Sequence, residues 1–566
     1  MATTNTSHQH DEDAAHLASL GYSYDTTFKR EMSFWGNVSL GFTYLSPIAG
    51  IYAMFAFSFM SAGPPMAWAL TIALVGQFFV GLVFGEVVSN YPVAGGVYPW
   101  SRRLWGRKWA WMNGWIYVVA LVGTIAAVAY SVAPFLLDAF LGYDESRPAT
   151  SAGVTVLVAL GVLVIASVLN YLGTKVLSIA AVVGLVAEMI GSVAIGVYLL
   201  IRNFVFLAGN DPERPGHSFA VFFTNEITAP DGTVMAIGAD GPFGSGVGGY
   251  FGAFAWAALI GMYAYYGFEA NGDVAEEVKD PGRQVPKSMR MTLYVGGLTS
   301  NLLVFALVLA VPDYSKVADG TVTNPISAAI SDAFGPVFPI VMLVVCIAFV
   351  SCVTSLQAAA SRLLFSMGRD GFLPASNWLS KHNSSRGVPS NAVLTAAVFP
   401  ALFILLSLFA ENALTALIAF GTVGIYIGFQ MVVLAALRAR IKGWKPAGKF
   451  KLGVWAYPVN ILALIWGVLA IVNISFPWPV NDNTFLDWAV LIVLFSSLMP
   501  GEKLRWFHIL GVALGFLVIL PAQKGQRCRN HGACDEIAIA FPEKLELVEL
   551  FLRFEVEVLC SHSRTL

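Results

Sequence analysis

The chain has 566 residues, of which 57% are hydrophobic and 12% charged, with a formal net charge of −2. Soluble domains carry about 45–50% apolar and about 25% charged residues, so this composition excludes an ordinary soluble enzyme and leaves no basic surface for a nucleic-acid partner. The five cysteines, Cys346, Cys352, Cys528, Cys534 and Cys560, form no disulfide framework and match no common zinc spacing.

Residues 1–33 are polar, and the apolar run after them is too long for a cleavable signal, so they read as a retained N-terminal tail. Ten apolar runs follow, each close to the roughly 20 residues that cross a bilayer as a helix. They lie near 38–59, 68–90, 110–140, 153–171, 174–200, 250–278, 289–311, 334–360, 390–409 and 412–437. An eleventh falls near 455–476, and weaker runs near 485–499 and 506–521 compete for the twelfth. The basic residues alternate with these spans. Arg102, Arg103, Arg107 and Lys108, then Lys279, Arg283, Lys287 and Arg290, then Arg438, Arg440, Lys442 and Lys445 all fall on the side of the N-terminus. Only Arg147, Arg202, Arg214 and Lys316 face the other way before the eleventh span. The positive-inside rule then puts the N-terminus in the cytoplasm of a multi-pass plasma-membrane protein.

Two spans are interrupted. In the first, Pro47 sits in mid-span with Gly41 and Gly50 on either side, and proline removes a backbone donor and clashes with the carbonyl four residues earlier. A packing kink reads this feature as well as a functional break does. The sixth span combines Gly267 and Gly272 with Glu269, Asp273, Glu276 and Glu277. Glu276 and Glu277 read as the solvated end of the helix, whereas a carboxylate as deep as Glu269 costs several kcal/mol without a partner and is functional by default. Breaks five spans apart are what inverted repeats of spans 1–5 and 6–10 would produce, each repeat opening with a discontinuous helix. Half-helix N-termini suit a carboxylate, and Glu269 or Glu188 would suit an ammonium, so a zwitterion or small amine is the expected cargo.

Four stretches resemble a known family. They are Gly-Phe-Thr-Tyr-Leu-Ser-Pro-Ile-Ala-Gly at 41–50 and Gly-Glu-Val-Val-Ser-Asn-Tyr-Pro-Val-Ala-Gly-Gly-Val-Tyr at 85–98, then Gly-Phe-Glu at 267–269 leading to Ala-Glu-Glu-Val-Lys-Asp-Pro-Gly-Arg-Gln-Val-Pro at 275–286, and Ser-Arg-Leu-Leu-Phe-Ser-Met-Gly-Arg-Asp-Gly-Phe-Leu-Pro at 361–374. In order and spacing they are similar to the amino acid–polyamine–organocation superfamily, most of all its amino acid/choline branch with the GABA permeases. That resemblance implies an all-α fold of about twelve transmembrane helices with a leucine-transporter-type 5+5 inverted repeat and broken helices one and six. It implies a secondary transporter, not an enzyme, that imports or exchanges an amino acid or an amine such as GABA, choline or ethanolamine by alternating access, with no cofactor or bound metal. Carried over by position, the substrate would lie against Ser46, Pro47, Ala49, Gly50, Tyr265, Gly267, Phe268 and Glu269, with Tyr130 as a further aromatic whose simpler reading is packing.

At the position in span five that many relatives fill with a lysine, this chain has Glu188. A buried carboxylate is costly to keep charged, so Glu188 would take up and release a proton; it would equally bind sodium with help from Ser351, Thr354 and Ser355 in span eight. Those hydroxyls also have the option of bonding their own helix. Proton coupling is the first expectation, sodium coupling or exchange the alternative, and a non-transporting solute receptor the reading outside that class. By segments, the chain divides into a tail at 1–33, a transport core at 34–440, accessory spans at 441–521 and an atypical tail at 522–566.

Overall fold

A chain this apolar has to satisfy its backbone polar groups within each lipid-crossing segment, which leaves helices as the economical solution. The computed structural model describes residues 30–207, 217–228, 232–241, 244–383, 387–409 and 413–476, and these are overwhelmingly helical. The first span consists of α1 (Phe34–Leu45) and α2 (Pro47–Ala62), separated by Ser46. Then come α3 (Ala67–Asn90), a short amphipathic α4 (Val97–Leu104), α5 (Arg107–Leu141), α6 (Ala152–Tyr171) and α7 (Thr174–Glu188). A π-helical turn at Met189–Ala194 leads from α7 into α8 (Ile195–Ile201). The long connection that follows carries an antiparallel hairpin, β1 (Glu226–Thr228) with β2 (Val234–Ala236), in which Ile227 lies opposite Met235.

The sixth span is built of α9 (Val247–Ala257), α10 (Leu259–Ala264) and the four-residue α11 (Ala270–Asp273). Beyond it are α12 (Pro281–Ala310), α13 (Tyr314–Ala318), α14 (Pro325–Phe334), α15 (Phe338–Arg369), α16 (Ser376–Leu379), α17 (Ser390–Leu406), α18 (Ala413–Ile441) and α19 (Ala456–Ser475). Among the described residues nine helical segments are long and apolar enough to cross a bilayer, and α17 is a shorter apolar helix. The broken sixth span escapes that measure because its pieces are short. The spans expected near 485–499 and 506–521, and the tail at 522–566, lie outside the described residues.

α5 is the centre of the bundle and packs against α15 and α18, while α12 packs against α3 and α19 against α18. The apolar window of α5 is 94% buried, against 33% for α6 and for α19, so the last two form the lipid-facing rim. Leu157 and Val164 on α6 and Leu469 and Val472 on α19 point outward, as lipid contact allows. Glycines bring the central helices together: a Cβ on Gly424 of α18 would meet the Ala120 side chain at 2.7 Å, and one on Gly428 the Tyr117 ring at 2.8 Å.

Polar residues close the end of the bundle where α1 begins. Arg362 on α15 donates to Glu277 at 2.8 Å, both side chains fully buried, and the Thr174 hydroxyl donates to the same carboxylate at 2.7 Å. The expectation that Glu277 is a solvated helix end is therefore corrected: Val274 to Glu277 curls inward as a tight turn and the carboxylate enters the bundle to meet Arg362. Glu276, partly buried, faces Arg369 at 3.3 Å. Beside them Met32 pairs in parallel with Val278, with its N–H on the Glu277 carbonyl at 3.0 Å and its carbonyl accepting from Lys279 at 3.3 Å.

Candidate functional site

The first break begins at Ser46, which adopts a left-handed conformation (φ 42°, ψ 88°) and is at once the C-cap of α1 and the N-cap of α2. Pro47 is the first residue of α2, where a missing N–H costs nothing. The Ser46 hydroxyl oxygen accepts from the Ala49 N–H at 3.0 Å, and the hydroxyl itself donates to a carboxylate oxygen of Glu188. The other Glu188 oxygen accepts from the Ile48 N–H at 3.3 Å. Glu188, fully buried at the end of α7, thus sits on the N-terminus of α2, where the helix dipole favours a negative charge. The Glu188 carbonyl in turn accepts from the Ser192 hydroxyl in the π turn, a feature the apolar run of span five did not announce.

The span-eight hydroxyls divide three ways. Ser355 shares a hydrogen bond of 2.7 Å with Thr43 on α1, Thr354 donates to the Val350 carbonyl of its own helix at 2.7 Å, and the buried Ser351 hydroxyl has no partner among the described residues. Ser351 packs on Gly184, one turn before Glu188, where a Cβ would lie 1.8 Å from its oxygen.

The second break runs from Tyr265 to Glu269, between α10 and α11. Gly267 takes φ 112°, and a Cβ there would lie 2.7 Å from the Leu45 backbone nitrogen, so the two breaks touch through a residue that has to be glycine. Gly50 meets the same segment from the other side, with a Cβ position 3.0 Å from Ala264 Cα. Glu269 folds back on its own turn: its carboxylate accepts from the Gly267 N–H at 2.8 Å and from the Tyr117 hydroxyl of α5 at 2.5 Å. One turn on, Asp273 is fully buried, and among the described residues neither carboxylate oxygen has a hydrogen-bond partner.

Between the breaks lies a cavity of ≈ 10 Å³, about the least that holds one water. Ala49 and Gly50 line it, together with Tyr44, Thr124, Tyr263, Tyr266 and Cys352. Tyr265 and Phe268, expected to face the substrate, are turned away. The Tyr265 hydroxyl donates to the Gly297 carbonyl at 3.2 Å and accepts from Asn301 at 2.8 Å, while Phe268 packs against Phe84 and Phe429. Tyr130, half-buried, is absent from the lining as well. Tyr44, Tyr263 and Tyr266, all buried, take the place of these aromatics in the lining.

The match to known proteins is consistent with this architecture. Residues 33–498 match the protein-family model described as amino acid permease. The amino-acid permease BAT1 of Arabidopsis thaliana is 27% identical over 527 residues, which cover 88% of this chain and 96% of that protein. A protein of Macrophomina phaseolina named as a putative amino acid/polyamine transporter is 24% identical, covering 74% of this chain and 88% of its own length. A putative polyamine transporter of Candida albicans is 21% identical, covering 87% and 86%.

Proposed function

The chain belongs to the amino acid permease family, and from that premise we propose that it is a secondary transporter for an amino acid or small amine of the GABA, choline or ethanolamine kind. The cargo is bound between the breaks in spans one and six and moves by alternating access in the plasma membrane, with the N-terminus in the cytoplasm. The observation that carries this reading is the contact of the two breaks around one small, tyrosine-lined cavity with a buried carboxylate on each break. A space of ≈ 10 Å³ admits no amino acid, so the helices have to part before cargo enters.

Glu188 is the proposed proton carrier. Its bonds to Ser46 and Ile48 tie its protonation to the geometry of the first break, so that loading and release would follow the movement of α2. Sodium is the second reading, favoured by the unpartnered Ser351 hydroxyl and by the Ser355–Thr43 contact on the same side of α1. The test is counterflow: purified protein in liposomes, labelled GABA on one side, and unlabelled amino acids, choline, ethanolamine and amines on the other. Saturable exchange with any of them supports the transporter; well-inserted protein that exchanges none of them, each tried as the labelled species, favours a receptor. Repeating uptake with imposed proton and sodium gradients then separates the two coupling ions.

A further inference from the structure

We propose that the connection between α18 and α19 is a binding site for anionic phospholipid headgroups, with Lys442, Lys445, Lys449 and Lys451 as its cations. The leaflet concerned is the one at the end of the bundle where α1 begins, the cytoplasmic leaflet in the orientation proposed above. The site is independent of the cargo and stands whether or not the chain transports.

The sequence sets the charge. No acidic residue falls between Glu411 and Asp482, while six basic ones lie from Arg438 to Lys451. Two of the six are engaged within the bundle. Arg440 pairs with Glu86 of α3 and donates to Asn460 of α19 at 3.1 Å, and the Arg438 guanidinium lies 4.4 Å from the centre of the Trp105 ring. The four lysines remain, all exposed. Lys449 faces Asp280 at 3.1 Å in an ion pair open to water, which holds it weakly. Lys442, Lys445 and Lys451 make no ion pair among the described residues.

These lysines do not hang on a free loop. Gly443, at φ 90°, turns the chain out of α18, and Pro446 keeps it from resuming a helix. The segment then runs along the end of α3. The Ala447 N–H donates to Asn90 at 2.8 Å, the Phe450 N–H to Ser89 at 2.9 Å and the Leu452 N–H to Glu86 at 2.8 Å. All three acceptors are buried, and they share one helical face. Gly448 lets the strap lie so close that a Cβ there would meet the Ser89 backbone at 2.6 Å. Phe450 is held between Gly85 and the Arg290 guanidinium, 4.0 Å from its ring centre. With its backbone donors turned inward, the strap presents its lysines outward from a fixed line, so its backbone loses little freedom when they meet a ligand.

The place of the strap identifies the ligand. Ile441, Val454, Trp455 and Tyr457 flank the lysines, and Val454 and Trp455 are 89% and 67% exposed. They lead into the lipid-facing side of α19, where Ile461, Ile465 and Leu469 point outward. Exposed tryptophan and tyrosine at the end of a spanning helix mark the depth of the headgroups. A polybasic segment at that depth is drawn to anionic lipid. A soluble acidic partner would leave the apolar residues bare, whereas a leaflet covers them and supplies the anions. The lysines are strung along the strap and not gathered round one point, which suits several singly charged headgroups.

The experiment follows the melting temperature of the full chain in neutral detergent, titrated with phosphatidylserine or phosphatidylcholine. Phosphatidylserine is expected to raise it more than phosphatidylcholine at equal mole fraction, and about 0.5 M salt to shrink the difference. Lys442→Gln, Lys445→Gln and Lys451→Gln together should weaken binding on the order of 100-fold, about fivefold for each lysine, and so remove the phosphatidylserine-specific shift. Lys175→Gln, Lys287→Gln and Lys381→Gln together take three exposed lysines from the same end of the bundle and should leave that shift nearly unchanged. Equal losses in the two triple variants would reduce the effect to the diffuse positive charge of that face and overturn the strap as a site. Equal stabilisation by the two lipids overturns it outright. Glycerophosphoserine, the same headgroup without acyl chains, should not stabilise the protein; if it matches phosphatidylserine, the ligand is a free anion and the lipid assignment fails.

Discussion

The breaks in spans one and six are closed by different means. At the first, the carboxylate comes from elsewhere: Glu188 reaches across from α7, 142 residues away in sequence from Ser46. At the second, Glu269 lies within the break and binds the N–H of Gly267 two residues before it. The first arrangement fastens span five to span one, so neither can shift without the other. The second is local: the Glu269 carboxylate binds its own turn, with the Tyr117 hydroxyl of α5 as a further donor. The carboxylate of one break is thus a joint between helices, and that of the other mainly braces its own turn.

Six substitutions at five positions break or sharpen that contrast. Gly267→Ala should have the largest effect, because the new methyl would lie 2.7 Å from the Leu45 nitrogen at φ 112°. Backbone strain of about 1–3 kcal/mol adds there to an overpacking cost of about 1–3 kcal/mol. The yield of monodisperse protein and its melting temperature should both fall sharply, while Gly50→Ala, with ordinary helical φ, should cost only the overpacking. Equal losses would mean the breaks do not touch where the structure puts them. Glu188→Ala comes next, since it strands a buried hydroxyl and a buried N–H at about 1–3 kcal/mol each. Glu188→Gln keeps acceptor capacity and should retain counterflow while losing gradient-driven accumulation; accumulation that persists rules Glu188 out as the proton carrier.

Tyr117→Phe is smaller and more diagnostic. It should destabilise the protein by about 1.5–3 kcal/mol if Glu269 is charged, and by about 0.5–1.5 kcal/mol if it is neutral, so denaturation of the pair of proteins reads the charge state of the second break. Thr43→Val should matter least. Losing the bond to Ser355 is worth about 0.5–1.5 kcal/mol, with Thr43 otherwise bonded to its own helix. A large loss of sodium-dependent uptake in that variant would favour the sodium reading.

Apolar runs made the spans legible, and Pro47 and Gly267 marked both interruptions, because lipid and the backbone leave few alternatives. The direction of side chains in the second break was not legible. An unwound segment has no 3.6-residue period, so nothing in the string Tyr-Ala-Tyr-Tyr-Gly-Phe-Glu says that Tyr263 and Tyr266 face the cavity and Tyr265 and Phe268 do not. Tyr117 escaped notice for another reason: its partner Glu269 is 152 residues away, and a single tyrosine in an apolar span carries no sign of its hydrogen bond. Glu277 looked like a helix end exposed to water because Arg362, which draws it inward, belongs to a different span.

The backbone pairing of Met32 with Glu277 and Lys279 has a mechanical consequence. It ties the strand of chain just ahead of α1 to the segment just past α11, so the near ends of the two broken spans are joined like the arms of one lever. Trimming the N-terminus past residue 31, or attaching a bulky label there, would cut the tie and let each arm swing alone. A fluorophore pair placed on residues 34 and 287, which flank it, would report whether the lever stays whole through a transport cycle.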